Sequence, residues 1–360
     1  MTDRLHVASR KGLFCFAPDD GQWRAAAPAF VGEPVTAVLA DRRDGALYAA
    51  LRLGHFGVKL HRSDDGGTTW TELAPPAFPP QPEGTGEPPA VDMIWTIAAG
   101  GPSEPGVLWA GALPAGLFRS ADRGDTWSLV ESLWAVPERA EWFGGGYDHA
   151  GIHSIHVDPR DARALTVGVS CGGVWKSADA GVSWTLAGTG LRADYMPPAR
   201  ADDRAIQDPH RLAHCPADPD TVWCQHHNGI FLSRDGGVNF ETIAPVAPSA
   251  FGFAVAAHPH DRDTAWFVPA VKDECRVPVD GRFLVTRTTD GGRSFETLSA
   301  GLPDGQSFDL VYRHALDVDE AGRTLAMGST TGNLWMSADG GETWRQISAN
   351  LPPIAQVAFG

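Results

Sequence analysis

The chain has 360 residues, and its 29 basic and 44 acidic side chains give a formal net charge of −15, which repels a phosphate backbone and argues against nucleic acid as a partner. Apolar residues make up 43%, enough for a large core, while 41 Gly, 28 Pro and 13 Trp are an excess of turn formers and indoles. The longest apolar run, residues 251–257, is far short of the ~20 residues a spanning helix needs, so no membrane segment is expected.

Cysteines stand at 15, 171, 215, 224 and 275 with no Cys-x-x-Cys spacing, which indicates neither a disulfide framework nor a thiolate zinc cage. Strand-like sequence begins at Leu5 without a basic or apolar leader, so a cytoplasmic location is expected.

Along the chain one octapeptide pattern, Ser/Thr-x-Asp-x-Gly-x-Thr/Ser/Asn-Trp/Phe, starts at Ser63, Ser120, Ser177, Ser233, Thr288 and Ser337, at intervals of 57, 57, 56, 55 and 49 residues. A seventh, decayed copy at 12–23 keeps Trp23 and has lost the Asp-Gly turn. Each unit reads as four short strands; in the second these are Val35–Ala40, Ala46–Leu51, Val58–Arg62 and Trp70–Leu73. Seven units of about 51 residues predict an all-β fold, one seven-bladed β-propeller of four-stranded blades over residues 1–360. The first unit lacks an inner strand and the C-terminus has a spare one, so 354–360 is expected to pair into blade one, sharing it with 1–30 and closing the ring.

These boxes resemble the Asp-box (BNR) repeats of sialidase-like propellers. The chain is most similar to bacterial BNR-repeat proteins of glycosyl hydrolase-like type, and more distantly to sortilin-type propellers and photosystem II assembly factors. The resemblance implies that each box is the turn between third and fourth strands, away from any active site. The physics agrees, since the Asp accepts backbone N–H groups, Gly supplies positive φ and the aromatic packs. Asp65, Asp122, Asp179, Asp235, Asp290 and Asp339 are therefore read as structural.

Length is spent on the opposite face. The crossovers 74–91, 129–150 and 187–208 and the loop 270–282 are long, and long loops on a rigid scaffold carry function. The second crossover holds Glu141, Trp142, Tyr147, Asp148 and His149; the third holds Tyr195 and ends at Asp208. The Pro-rich stretch 75–89 reads as a lid or cover.

Aligning the units places His153 and His210 at one position of successive inner strands, with Thr96 and Arg313 as counterparts in other blades. The second-to-third-strand loops add His55, His226 and His227. His153, His210 and one of His226 or His227 are candidate ligands for a divalent transition metal, zinc first. Asp208, Asp148 or Glu141 is then a fourth ligand or general base. The alternative for these histidines is hydrogen bonding to channel waters and backbone.

Glu141, Asp148, His149 and Asp208 are candidate catalytic groups, and His55, Trp142, Tyr147, Tyr195 and Arg313 candidate substrate-binding groups. The resemblance to sialidases implies an Arg-Ile-Pro motif and three carboxylate-binding arginines; the motif is absent and only Arg313 can be placed, so sialidase activity is not expected. Two readings follow. One is a polar pocket for a small molecule or carbohydrate, with hydrolysis of glycosidic or metal-dependent type. The other is a scaffold for a protein partner without catalysis.

Overall fold

The computed structural model describes residues 4–80 and 88–360; the centre of the Pro-rich stretch, read above as a lid, lies outside the described residues. The strands form seven four-stranded antiparallel sheets, the blades of a seven-bladed β-propeller. In blade two the four strands are Val35–Asp41, Ala46–Arg52, Val58–Ser63 and Thr71–Leu73, within a residue or two of the expected bounds.

By contacts the chain divides into two compact units. Glu33–Ala187 with Arg204–Asp208 contains blades two, three and four; its core comprises one cluster around Tyr48, Ile94, Leu108 and Phe118 and another around Trp109, Val167 and Trp175. Met1–Gly32, Gly188–Asp203 and Pro209–Gly360 contain blades one, five, six and seven, with clusters around Trp266 and Trp335 and around Trp223 and Phe267. The second strands are apolar along nearly their whole length, as in Leu108–Leu113, because both faces of a blade are covered by neighbours.

Blade one closes as expected. Its strand order begins with the C-terminal strand Ile354–Phe359, which pairs antiparallel with Leu5–Ser9 and registers Val357 against Val7.

The six boxes share one hydrogen-bond scheme. In the first, the Ser63 hydroxyl accepts the Gly67 N–H and donates to Asp65 Oδ1. That oxygen also accepts the Thr69 N–H, while Oδ2 accepts the Thr69 hydroxyl at 2.6 Å. The same contacts recur around Asp122, Asp179, Asp235, Asp290 and Asp339, with Asn239 Nδ2 replacing a hydroxyl in blade five. The Thr69, Ser183 and Ser294 hydroxyls and backbone hold the carboxyls of Asp65, Asp179 and Asp290 down to about 2.

The decayed copy corrects the sequence reading. An Asp-Gly turn persists there as a two-residue hairpin, Asp20-Gly21, joining Gly12–Asp19 to Gln22–Ala25. Both turn residues have positive φ, 47° and 73°, which matches the right-handed twist of the strands.

A second regularity lies in the inner strands. In five blades the first two strands slip by one residue near their start. In blade two Val35 faces Leu51 and Ala37 faces Ala50, which leaves Thr36 as the extra residue. The same step leaves Trp95, His153 and His210 in blades three, four and five, and falls at Phe253-Ala254 in blade six. The blade-three counterpart of His153 and His210 is therefore Trp95, not Thr96. Arg313 precedes its inner strand, Leu316–Val318, rather than lying in it.

Two predictions follow from this arrangement. The box carboxyls have folded-state pKa values below the usual ~3.9, so their contribution is complete above that pH and is lost as pH falls toward 2. The triple variant Asp65→Asn, Asp179→Asn, Asp290→Asn is expected to melt several degrees lower than wild type at pH 7, with the gap shrinking by pH 2; a gap independent of pH would refute the assignment. Deleting 354–360 is expected to lower Tm by roughly 10 °C or more, since it strips a whole strand from blade one; an unchanged melt would contradict the closure.

Candidate functional site

Within blades two to four an open cavity of about 520 Å³ is lined by Arg52, Pro89, Ala90, Asp92, Leu113, Pro114 and the segment Gly146–His149. Its walls come from the end of the second strand of blade two, the crossover entering blade three, the second strand of blade three, and the long crossover 129–150. The Arg52 guanidinium meets Asp92 Oδ2 at 2.5 Å and lies 5.9 Å from the Tyr147 ring centroid. Tyr147 sets its edge against Trp95 at 5.3 Å, and Trp95 in turn meets His153 edge-on at 5.7 Å. The bulge residue of blade three is thus the floor under the pocket aromatic.

The rest of the long crossover is ordered by packing. It forms a short helix, Glu131–Trp134, and a 3-10 turn, Pro137–Glu141. Arg139 stacks on Trp134, which packs against Phe78. Trp142 packs edge-on against Trp175 at 5.8 Å and belongs to the hydrophobic cluster of blade four, while Glu141 is exposed. Tyr147, Asp148 and His149 therefore share the cavity, whereas Glu141 and Trp142 are not part of its lining.

His153 is fully buried, with Nδ1 2.9 Å from the Ser154 hydroxyl. At the end of the third long crossover, the buried carboxylate Asp208 accepts the Ser170 hydroxyl at 3.0 Å and the Cys171 N–H at 3.1 Å. Gly145 lies over this group; a Cβ there would come within 2.6 Å of Cys171 Sγ, so only glycine lets the loop approach.

In blade five, His210 is buried, stacks on Phe253 at 4.4 Å with an interplanar angle of 14°, and places Nδ1 2.7 Å from the Gly252 carbonyl. A carbonyl only accepts, so Nδ1 carries the proton. His227 stands edge-on to His210 at 5.4 Å and to Tyr195 at 4.8 Å. His226, its chain neighbour, turns the other way: its Nδ1 accepts the Asn228 N–H and its ring packs on Phe231. Of the predicted metal set, His210 and His227 pack against each other, whereas His226 turns away and His153 packs against Trp95. Arg313 lies 5.5 Å from the Phe253 ring, and His55 is exposed against Phe56.

Sequence reasoning missed Arg52, Asp92 and Trp95. The first two lie at strand ends of adjoining blades. Trp95 was hidden by the one-residue slip, which shifts the face of every residue after it.

The fold defines a seven-bladed propeller whose third-to-fourth-strand turns are boxes. No protein-family model matches the chain. It is 25% identical over 253 residues to "Xyloglucanase Xgh74A" of Acetivibrio thermocellus, covering 64% of this chain and 28% of that protein. To "Xyloglucanase" of Hypocrea jecorina it is 26% identical over 155 residues, covering 40% and 17%. The chain thus spans less than a third of the length of these relatives. Among solved structures, an ancestral GH74 enzyme superposes with a TM-score of 0.60 at 18% identity, covering 84% of this chain and 36% of that one. YCF48 bound to D1 peptide superposes at 0.53 and 16% identity, covering 87% and 82%. The protein is a β-propeller similar to glycoside hydrolases of the xyloglucanase type. Among the described residues, no helix is long and apolar enough to cross a membrane.

Trp95 supports both the Tyr147 ring and His153. Trp95→Ala is expected to cost about 3–5 kcal/mol in a urea melt and to weaken any ligand of the cavity; a loss under about 1 kcal/mol would show that the ring is not the floor.

Proposed function

We propose that the cavity of blades two to four binds a carbohydrate, and that the protein acts on glycosidic bonds. The observation that carries this reading is the convergence of Asp92, Asp148, Arg52 and Tyr147 on one open cavity. Sugars present hydroxyl edges and apolar ring faces. Carboxylates and a guanidinium bind the edges, and Tyr147 with Pro89 and Pro114 offers surface to the faces. The similarity to xyloglucanases favours an oligosaccharide over other polar ligands.

Glycoside hydrolysis requires two carboxyl groups, one to protonate the leaving oxygen and one to activate water or attack the anomeric carbon. Asp92 and Asp148 are the acidic residues of the cavity wall, on segments from two different blades. The Arg52 guanidinium meets Asp92 and orients its carboxylate, which suits it to the base or nucleophile. Asp148 then serves as the acid, with His149 beside it. The competing scaffold reading draws on the fold likeness to YCF48 and requires no turnover.

The test is turnover and calorimetric binding with xyloglucan oligosaccharides and aryl β-glucosides. Asp148→Asn is expected to lower kcat by about 10²-fold or more with KM little changed. Tyr147→Ala and Arg52→Ala are expected to raise KM. Absence of both binding and turnover across the panel would overturn the reading, while binding without turnover would remove the hydrolytic part.

A further inference from the structure

We infer that Asp208, Cys171 and Gly145 form a seat that positions the cavity segment Gly146–His149, and that Asp208 is a positioning residue rather than a catalytic one. All residues of the seat and of the segment belong to the unit of blades two, three and four. The bearing of the seat on turnover rests on the carbohydrate reading; the seat itself does not.

The first observation is backbone strain. Cys171 follows the strand Asp161–Ser170 and has a φ of 50°, a left-handed conformation that residues with a Cβ rarely adopt. Such a conformation persists only where the surroundings over-determine it. Asp208 Oδ1 holds this turn by accepting the Ser170 hydroxyl and the Cys171 N–H, and the neighbouring Gln207 carbonyl accepts the Gly173 N–H at 3.0 Å. The Cys171 carbonyl, aimed by that turn, accepts the Phe143 N–H at 3.3 Å. Two hydrogen bonds in series therefore join Asp208 to the long crossover that carries Tyr147, Asp148 and His149.

The second observation is close packing on top of the turn. A Cβ on Gly145 would lie 2.6 Å from Cys171 Sγ, 3.3 Å from Asp208 Oδ2 and 3.4 Å from the Ser170 hydroxyl oxygen, so the bare backbone rests on all three groups. A Cβ on Gly144 would overlap the Tyr147 carbonyl, which means that the chain doubles back between the seat and the cavity. Gly146 lines the cavity, and a Cβ there would meet nothing within 4 Å. The three glycines thus have separate roles: Gly144 folds the loop, Gly145 seats it, and Gly146 leads into the cavity wall. Misplacing a reacting group by about 1 Å can cost ~10²-fold in rate, so what fixes this loop fixes the usefulness of Asp148.

The seat is tested by alkylating the native full chain with iodoacetamide and following Cys171 by peptide mass spectrometry. The wild-type thiol, 2% exposed, is expected to react slowly. Gly145→Ala is expected to speed its alkylation at least about tenfold, whereas Gly146→Ala leaves the rate unchanged. Calorimetry with a xyloglucan oligosaccharide is expected to show Kd raised about tenfold in Gly145→Ala and restored to within about threefold of wild type in the double variant Gly145→Ala, Cys171→Gly, which removes the thiol that the new methyl meets. Asp208→Ala is expected to raise Kd about tenfold, while Asp208→Asn, which keeps an acceptor oxygen without the charge, stays within about threefold in both Kd and kcat. Circular dichroism establishes that each variant is folded, and if Asp208→Ala is not, Asp208→Asn and Gly145→Ala decide. An unchanged alkylation rate in folded Gly145→Ala, or a double variant no better than the single one, would overturn the seat. A kcat loss of about 10²-fold in Asp208→Asn would make Asp208 catalytic instead. Absence of oligosaccharide binding by wild type would count against the carbohydrate reading alone, and the alkylation rates would still decide the seat.

Discussion

One carboxylate in each of six repeats pins this fold. In each box an Asp accepts a hydroxyl and a backbone N–H from the residue four positions on, while the Ser or Thr two positions before it accepts the N–H of the box glycine. Eight residues thereby close a tight turn without drawing on the core. Such turns fix the register of the third and fourth strands in six blades, so the crossovers that leave the fourth strands are free to lengthen. The polar surface that can do chemistry sits on those crossovers because the box turns are already fully committed to hydrogen bonding.

The inner-strand slip is the complementary device. A single extra residue re-aims one side chain without breaking the sheet, and it recurs at the same place in five blades. What occupies that position decides local character. In blades three and four Trp95 meets His153 edge-on, and in blades five and six His210 stacks on Phe253. Each histidine of the row is backed by an aromatic from the same unit, so ring orientation is set by packing before any polar contact is made.

The architecture was legible in the sequence because it depends on short-range chemistry repeated six times. Ser-x-Asp-x-Gly specifies a turn wherever it occurs, and the spare apolar segment at 354–360 had one unfilled inner strand to pair with. Site geometry was less legible, because it depends on register at the level of one residue. Counting from the boxes put Thr96 opposite His153, whereas the slip puts Trp95 there. The same count could not separate His226 from His227. They are adjacent in sequence, yet one caps its own turn through the Asn228 N–H and the other faces His210. Trp142 illustrates a different failure: an indole in a polar loop reads equally as a sugar platform or as local core, and contact with Trp175 makes it core.

The two polar sites also differ in what they can tolerate. The cavity beside Tyr147 is open, and its ion pair is about 37% and 49% exposed, so water screens the Arg52–Asp92 attraction and its value is geometric more than energetic. It orients a carboxylate for a ligand that brings its own hydroxyls. Asp208 is buried, and a buried carboxylate is stable only where hydrogen bonds or a cation offset its lost hydration. The Ser170 hydroxyl and the Cys171 N–H supply such hydrogen bonds. Exchange of an exposed pocket residue should therefore act mainly on ligand affinity. Exchange of Asp208 should act on fold stability, because it leaves the Ser170 hydroxyl and the Cys171 N–H without their buried acceptor.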